Sequence, residues 1–308
     1  MTPKVSVIIR TYNRAHLIER AIKSVLNQSF RDFEIIVVND GSTDDTKEKV
    51  EKLAAKDSRI KLFTQNQSGG KVGQVTNFGL KHSHGRYIAI LDTDDEWLPS
   101  KLEKQVKLLE SADSHIGLVT CCGLLVNPNG TQKELSLPPR SRPFLESILR
   151  RSFFHPSSIL IKKEVLDSVG PYDENYQIMD DWDMFLRIAQ KYEYDFVNES
   201  LYKYHIHQTN TSYGGNYTYA RQAADRLATD LEYLLNKHHE LFKQYPRRLA
   251  YRYTTLASLL FSAGDMKKAR SYLRKNLELR GSLKNRVLLA CSYFGKSAFH
   301  LLWSRILN

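Results

Sequence analysis

The sequence predicts an α/β protein: a mainly parallel sheet flanked by helices, followed by an all-helical C-terminal region. Three observations predict it. Short, almost uninterrupted apolar runs at residues 5–9, 33–38, 60–63 and 87–91 alternate with amphipathic stretches of helical period. Such alternation implies right-handed βαβ units, and strands without polar alternation fit a sheet covered on both faces. Beyond residue 216 only helical periodicity remains. With 308 residues, 42% of them hydrophobic, the chain has enough to bury a core, so it is expected to be globular.

Val5-Ser6-Val7-Ile8-Ile9 reads as a buried strand, and Thr11, Tyr12, Asn13 and Arg14 form a polar loop after it. A helix is expected over residues 15–26, with Leu17, Ile18, Ala21, Ile22 and Val25 on one face. The strand at 33–38 ends in Asn39-Asp40-Gly41-Ser42, a turn cluster that can cap the helix expected at 44–55. A short strand at 60–63 leads to Gly69-Gly70, and a helix then runs to about His82. The strand at 87–91 is followed by Asp92-Thr93-Asp94-Asp95. Ligands of such a sheet bind beyond the carboxyl ends of its strands. The clusters at 11–14, 39–42 and 92–95 all fall there.

The net charge of +11 is uneven. Residues 216–308 hold 17 Lys and Arg against 6 Asp and Glu, so the basic excess lies wholly in this tail. We therefore expect two regions, 1–215 and 216–308, with different partners. No run of about 20 uncharged apolar residues occurs, and the N-terminus has no basic region with a cleavage site. Three cysteines without CxxC spacing read as buried hydrophobes in a reducing cytoplasm. GxGxxG, GxxxxGK[ST] and HExxH are all missing, which removes the usual phosphate cradles and zinc helix.

Asp92, Asp94 and Asp95 repel one another unless solvated, capping or neutralised by a cation. Oxygen ligands favour Mg²⁺ or Mn²⁺, ions that retain waters and take further oxygens from phosphates. A helix cap ahead of Pro99 is the alternative.

The segments VSVIIRTYNR (5–14), VVNDGSTD (37–44), LDTDDEW (91–97) and GPYDE (170–174) with DDWD (180–183) and Leu186-Arg187 together resemble family 2 glycosyltransferases of the GT-A (Rossmann-like) fold. The resemblance spans about residues 4–212 and rests on the order and spacing of all these motifs. It implies inverting, metal-dependent transfer of a sugar from a nucleotide-diphosphate donor, commonly a UDP-sugar. The acceptor would be a saccharide or lipid-linked hydroxyl in cell-surface polysaccharide or glycolipid synthesis. By position, Thr11 and Tyr12 would line the base pocket with Asn13 and Arg14 beside them, and Asp40 would accept a hydrogen bond from the base. Ser42, Asn77 and Thr93 also fall on the donor side. Asp92 would contact the ribose, and Asp94 would ligate Mn²⁺ or Mg²⁺.

The pair Asp180-Asp181 stands where the family usually has Glu-Asp, which makes Asp181 the candidate general base. Asp180 and Trp182 would lie on the acceptor side; a first-turn acid for a helix at 182–190 is the alternative for Asp181. Tyr204-His205-Ile206-His207 resembles the family's Tyr-Arg-x-His, with His207 at the position that completes the metal site. Gly69-Gly70-Lys71 and Thr76-Asn77-Phe78-Gly79 resemble a Gly-rich stretch in which Thr76 replaces an arginine; Lys71 or Arg14 is expected to supply that charge. A Gln-x-x-Arg-Trp segment and membrane helices are missing, which favours single, non-processive addition.

In the tail, the segment 261–270 resembles one tetratricopeptide turn. The stretch 286–307 mixes apolar residues with flanking Lys284, Arg286, Lys296 and Arg305, an interfacial pattern. It suggests peripheral contact with an anionic membrane at its inner face, the alternative being an ordinary helical appendage. Two readings of other classes stay open here: a basic membrane- or nucleic-acid-binding module, or a sugar nucleotidyltransferase. No interleaved aromatic–basic motif supports nucleic acid, and none is expected as a partner.

Overall fold

The computed structural model describes residues 2–66, 70–137, 143–207, 224–281 and 283–294. The chain forms two compact units, Met1–Tyr176 with Asp180–Thr209, and Gln177–Met179 with Asn210–Asn308. The boundary expected at 215/216 falls outside the described residues, as does Gly69.

The first unit is a mixed sheet flanked by helices, as expected. Its described strands are β1 (Val5–Thr11), β2 (Phe33–Asn39), β3 (Ile60–Thr64), β4 (Tyr87–Asp92), β5 (Glu96–Trp97), β6 (Ile116–Val126), β7 (Gln132–Leu135), β8 (Leu160–Lys162) and β9 (Glu193–His205). They run in the order β3-β2-β1-β4-β8-β6-β9-β5, with β7 on β6. The first four are parallel, and every residue of β2 is buried, which explains its lack of polar alternation. β8 pairs antiparallel to both β4 and β6, while β6 and β9 run parallel.

β1 lies between β2 and β4, so the chain order reverses beside it. That is the switch point where an open sheet leaves a crevice. The register sets Thr11 opposite Asn39 and Arg10 opposite Asp92, so three polar loops meet at one edge.

The helices of this unit are α1 (Ile18–Leu26), α2 (Thr46–Ala54), α3 (Val72–Lys81), α4 (Lys101–Ser111), α5 (Phe144–Arg150), α6 (Lys163–Val169) and α7 (Asp180–Ala189). α1 starts three residues later than its periodicity suggests, because Leu17 and Ile18 both donate to the Arg14 carbonyl in a turn. It buries Ile18, Ala21, Ile22 and Val25, the face read from the sequence. α3 approaches the sheet closely at Gly79, where a Cβ would sit 2.7 Å from Ile8 Cγ2.

Five helices are described in the second unit: α8 (Ala224–Lys237), α9 (His239–Lys243), α10 (Pro246–Ala263), α11 (Met266–Arg280) and α12 (Leu283–Cys291). The tetratricopeptide-like turn is a helix-to-helix corner. Gly264 takes φ +101° as the left-handed cap of α10, and Asp265 accepts the Lys268 N–H to start α11. Asp230, buried on α8, receives the N–H groups of Gln177, Ile178 and Met179. No described helix is long and apolar enough to cross a membrane. Most of the apolar stretch at 286–307 lies outside the described residues.

Among the buried polar residues is a lysine. Lys101, at the start of α4, is fully buried; its ammonium bonds Gln105 and sits 4.0 Å from the Trp97 ring centroid. Burial pulls its pKa down to about 8. Between pH 8 and 10.5 the unfolded chain therefore binds more protons than the folded one, and stability rises with pH. A shift of this size amounts to about 3 kcal/mol. Chemical denaturation at pH 7.5 and 10 should show the wild type gaining on Lys101→Met by roughly 2–3 kcal/mol. Parallel behaviour of the two proteins would refute the buried-ammonium account.

Candidate active site

The loop after β1 is built around one strained residue. Asn13 has φ +50°, the sole described non-glycine with positive φ. Its N–H donates to Ser42 Oγ at 2.9 Å, and its Oδ1 accepts the Thr43 N–H at 2.8 Å. The Ser42 N–H donates to Asn39 Oδ1 at 3.1 Å. The β1 and β2 loops are thus one clamped surface. Arg14 N donates to Thr46 Oγ1, Asp40 N donates to Thr11 O, and Asp40 Oδ1 accepts Gln65 Nε2. Tyr12 is 40% exposed, an open aromatic face next to this clamp, whereas Thr11 is buried with its Oγ1 unpartnered among the described residues.

The acidic loop after β4 is held from several sides. Thr93 Oγ1 donates to the Arg10 carbonyl, and Ser157 Oγ accepts the Asp92 N–H. Ser157 Oγ also donates to Asp95 Oδ2, at 2.5 Å. The Asp92 carboxylate pairs with Arg10. Burial works against its charge, but Arg10 and His155 hold its pKa below the usual carboxylate range. Asp95 is fully buried; burial and the charges of Asp92 and Asp94 push it well up. Asp94 Oδ2 lies 2.7 Å from His207 Nε2, and Arg20 Nη2 donates to the Asp94 carbonyl at 2.6 Å.

Two sets of atoms here fit a divalent cation. Asp94 and His207 converge at a partly exposed lip, with side chains 23% and 27% accessible, which leaves room for waters and phosphate oxygens. Asp92, Asp95 and His155 form an inner group with ligand atoms within 4.8 Å of one another. Among the described residues Asp95 Oδ1 and His155 Nδ1 are buried without a hydrogen-bond partner, His155 Nδ1 lying 3.4 Å from Asp95 Oδ2, and burial keeps His155 toward its neutral, ligating form.

The acceptor-side motifs gather around the start of α7. Asp180 is its first residue and is 4% exposed. Asp181 Oδ1 accepts the Trp182 N–H at 2.6 Å. Burial and the neighbouring Asp180 raise the Asp181 pKa to about 7, where a carboxylate can work as a base near neutrality. Trp182 points inward: it is 6% exposed and its indole N–H donates to Ile148 O, so it ties α7 to α5. Asp183 is buried against Arg187, whose guanidinium also reaches the carbonyls of Val169, Gly170 and Pro171.

Asn77, expected on the donor side, uses its amide elsewhere. Its Oδ1 accepts Tyr172 N–H, and its Nδ2 donates to Tyr172 O and Glu174 Oε1, each at 2.9 Å. It staples α3 to the 170–174 loop. Lys71 is exposed at the cap of α3. The cation beside Thr76 is Arg10, in place of the expected Lys71 or Arg14. Arg10, Arg20, His155 and Ser157 were not singled out from sequence. Arg10 and Arg20 look like ordinary strand and helix residues there, and the latter pair follow no motif.

Three polar loops thus meet at the switch point, with acidic pairs on two elements and an exposed aromatic side chain among them. The profile of Glycosyl transferase family 2 matches residues 6–170, more than half of the chain, and Glycosyltransferase like family 2 matches 140–261. An uncharacterised glycosyltransferase of Rickettsia typhi is 33% identical over 68% of this chain and 66% of its own length. Another, from Methanocaldococcus jannaschii, is 35% identical over 66% of this chain and 71% of its own. A Campylobacter jejuni GalNAc(5)-diNAcBac-PP-undecaprenol beta-1,3-glucosyltransferase is 44% identical, over 37% of each chain. The fold is shared with a Pyrobaculum calidifontis mannosyltransferase solved with GDP-Man and Mn²⁺ (TM-score 0.61, 22% identity, 100% of this chain and 88% of that one). It is also shared with Staphylococcus aureus TarS solved with UDP (TM-score 0.57, 18% identity, 89% of this chain and 88% of that one). The chain belongs to glycosyltransferase family 2 and is a glycosyltransferase of GT-A fold. The binding-module and nucleotidyltransferase readings are set aside. The chain spans about two thirds of the length of the R. typhi relative.

The Asn13 clamp gives a test. Both Asn13→Gly and Asn13→Ala lose the side-chain bond, but glycine also removes the Cβ from the left-handed backbone, whereas alanine keeps one there without the bond that holds it. Tm should fall further for Asn13→Ala than for Asn13→Gly, by about 1 kcal/mol in stability. The reverse order would show that the loop does not hold that conformation.

Proposed function

We propose that this glycosyltransferase makes one sugar transfer per encounter, with inversion, from a nucleotide-diphosphate donor to the hydroxyl of a lipid-linked or polysaccharide acceptor. The observation that carries the reading is the meeting of Asp94 with His207, 113 residues apart in sequence, at the edge where Asp92 and the β1 loop also end. Tyr12 offers a face for a base, and Asp40, buried in the adjoining loop and bonded by Gln65, is the carboxylate assigned to its N–H edge. Asp92, its charge kept by Arg10, suits a ribose or sugar hydroxyl. The residues that would hold Mn²⁺ or Mg²⁺ are Asp94 and His207, and such an ion supplies electrostatic stabilisation of the leaving diphosphate.

Asp181 takes the proton of the acceptor hydroxyl while that oxygen attacks the anomeric carbon. The bond from that carbon to the diphosphate breaks, and its electron pair leaves with the phosphate oxygen. One displacement from the opposite face inverts the centre. Asp180 keeps Asp181 basic by repulsion. The structures solved with GDP-Man and UDP support a nucleotide-sugar donor, and the name of the C. jejuni relative supports a lipid-linked acceptor. A UDP donor and cytoplasmic work at the inner face of the membrane, helped by the basic tail, complete the proposal.

With a base of pKa about 7, kcat should rise roughly tenfold from pH 6 to a plateau above pH 8. Asp181→Asn should cost about 10²-fold or more in kcat and flatten that limb. Because the raised pKa means that the folded state resists ionisation there, the same variant should melt no lower than wild type at pH 8. Retained kcat in Asp181→Asn would remove the residue from the base role.

Thermal shifts read the donor site separately. UDP-sugars with Mn²⁺ should raise Tm, a donor at 100 times its Kd contributing about 2.7 kcal/mol. In Asp94→Ala, adding Mn²⁺ should no longer increase that shift. An undiminished metal effect in this variant would place the ion elsewhere.

A further inference from the structure

Arg10 occupies a position that no donor or acceptor role explains. It is the penultimate residue of β1 and stands in register with Asp92 on β4, so both side chains leave the sheet on one face. Its side chain is only 12% accessible. One arm of the guanidinium donates to Asp92 Oδ1 through Nη2; the other donates to Thr76 Oγ1 through Nη1 at 3.0 Å. Thr76 is fully buried on α3, and its hydroxyl proton is committed to the Val72 carbonyl at 2.9 Å. Its oxygen is therefore turned to accept from Arg10.

The same helix brings the acceptor-side acids near. A Cβ on Gly73, one turn before Thr76, would lie 3.5 Å from Asp180 Cβ and 3.3 Å from the Asp173 carbonyl. Asp180 acts electrostatically on Arg10, as does Asp92. Arg10 thus ties Asp92, at the end of β4, to α3, the helix against which Asp180 packs. A planar fork holds two acceptors at a fixed angle, which a lysine ammonium does not. Removing the fork releases Asp92 from α3 and takes away the positive charge that acts on both acids.

We infer that Arg10 is a positioning residue that fixes Asp92 and Asp180 relative to each other, and so joins the donor side of the site to the acceptor side. The inference rests on the glycosyl-transfer reading for its kinetic consequence only. Arg10 does not touch the reacting atoms. It sets where the two acidic pairs point.

The test uses the full chain with Mn²⁺ and whichever of UDP-glucose, UDP-N-acetylglucosamine, UDP-galactose and GDP-mannose gives the largest thermal shift. Nucleoside diphosphate released by slow hydrolysis, water replacing the acceptor, gives kcat and KM per nucleotide-binding site. Arg10→Ala should lower kcat at least tenfold with donor KM changed less than about threefold, and Arg10→Lys should fall between it and wild type. The double variant Arg10→Ala/Thr76→Arg, which returns the cation from α3, should recover most of kcat. Wild-type kcat in folded Arg10→Ala, or a folded double variant that recovers nothing, overturns the inference. If the wild type turns over none of the four donors, the glycosyl-transfer reading is in question instead. Crystals of Arg10→Ala or Arg10→Lys then decide the inference: Asp92 and Asp180 rotated apart support it, and both unmoved overturn it.

Discussion

Repulsion between carboxylates is the constraint around which the first unit is arranged. Asp92, Asp94, Asp95, Asp180 and Asp181 act on one another at the carboxyl edge of the sheet or the start of α7. Each answer to that repulsion is visible and local. Asp92 is paired with Arg10, Asp95 is bonded by Ser157 and biased toward its neutral form, and Asp94 faces His207. Asp181 is left with a raised pKa. Gathered negative charge of this kind is what the proposed reaction would draw on, through a cation and a proton-accepting carboxylate.

The motif residues divide into those that face the crevice and those that hold it open. Asn77, Trp182, Asp183 and Arg187 belong to the segments that carry the family resemblance, yet their polar atoms are bonded within the protein. Arg187 collects three successive carbonyls, which no water could satisfy as well in a half-buried loop. Asn13 joins the β1 and β2 loops at the cost of a left-handed backbone. Rigid support of this kind holds the exposed Tyr12 and the buried Asp40 in fixed loops.

Periodicity revealed β1, β2, β3 and β4, the face of α1 and the place of α2, because each is short and built from contiguous residues. The long strands β6 and β9 escaped it. β6 takes Cys121, Cys122 and Gly123 into a sheet with register shifts, and β9 alternates charged with aromatic residues that also suit loops. The start of α1 was misjudged because the turn at Arg14 competes with the helix for the same backbone N–H groups. For the site, Asp92, Asp94, Asp181 and His207 could be named as candidates because they stand in the motifs that carry the family resemblance. Arg10 was passed over because a charged residue in an apolar strand has no meaning until its neighbours are known.

What the sequence by itself determined was the class of sheet, the polar loops at the carboxyl ends of its strands, the basic tail and the membership in a transferase family. All of these are written in residues close together in the chain or in motifs of fixed spacing. Only the tertiary structure decided which side chains share an environment. The joining of Arg10 to Asp92 and Thr76, of Asp94 to His207 and of Asn77 to Tyr172 spans 66 to 113 residues. Burial, and with it the raised pKa of Asp181 and the lowered one of Lys101, is likewise a property of the packed chain. The physical reason is the same for both: charge and hydrogen bonding act over a few ångströms of space, and the sequence measures distance only along the backbone.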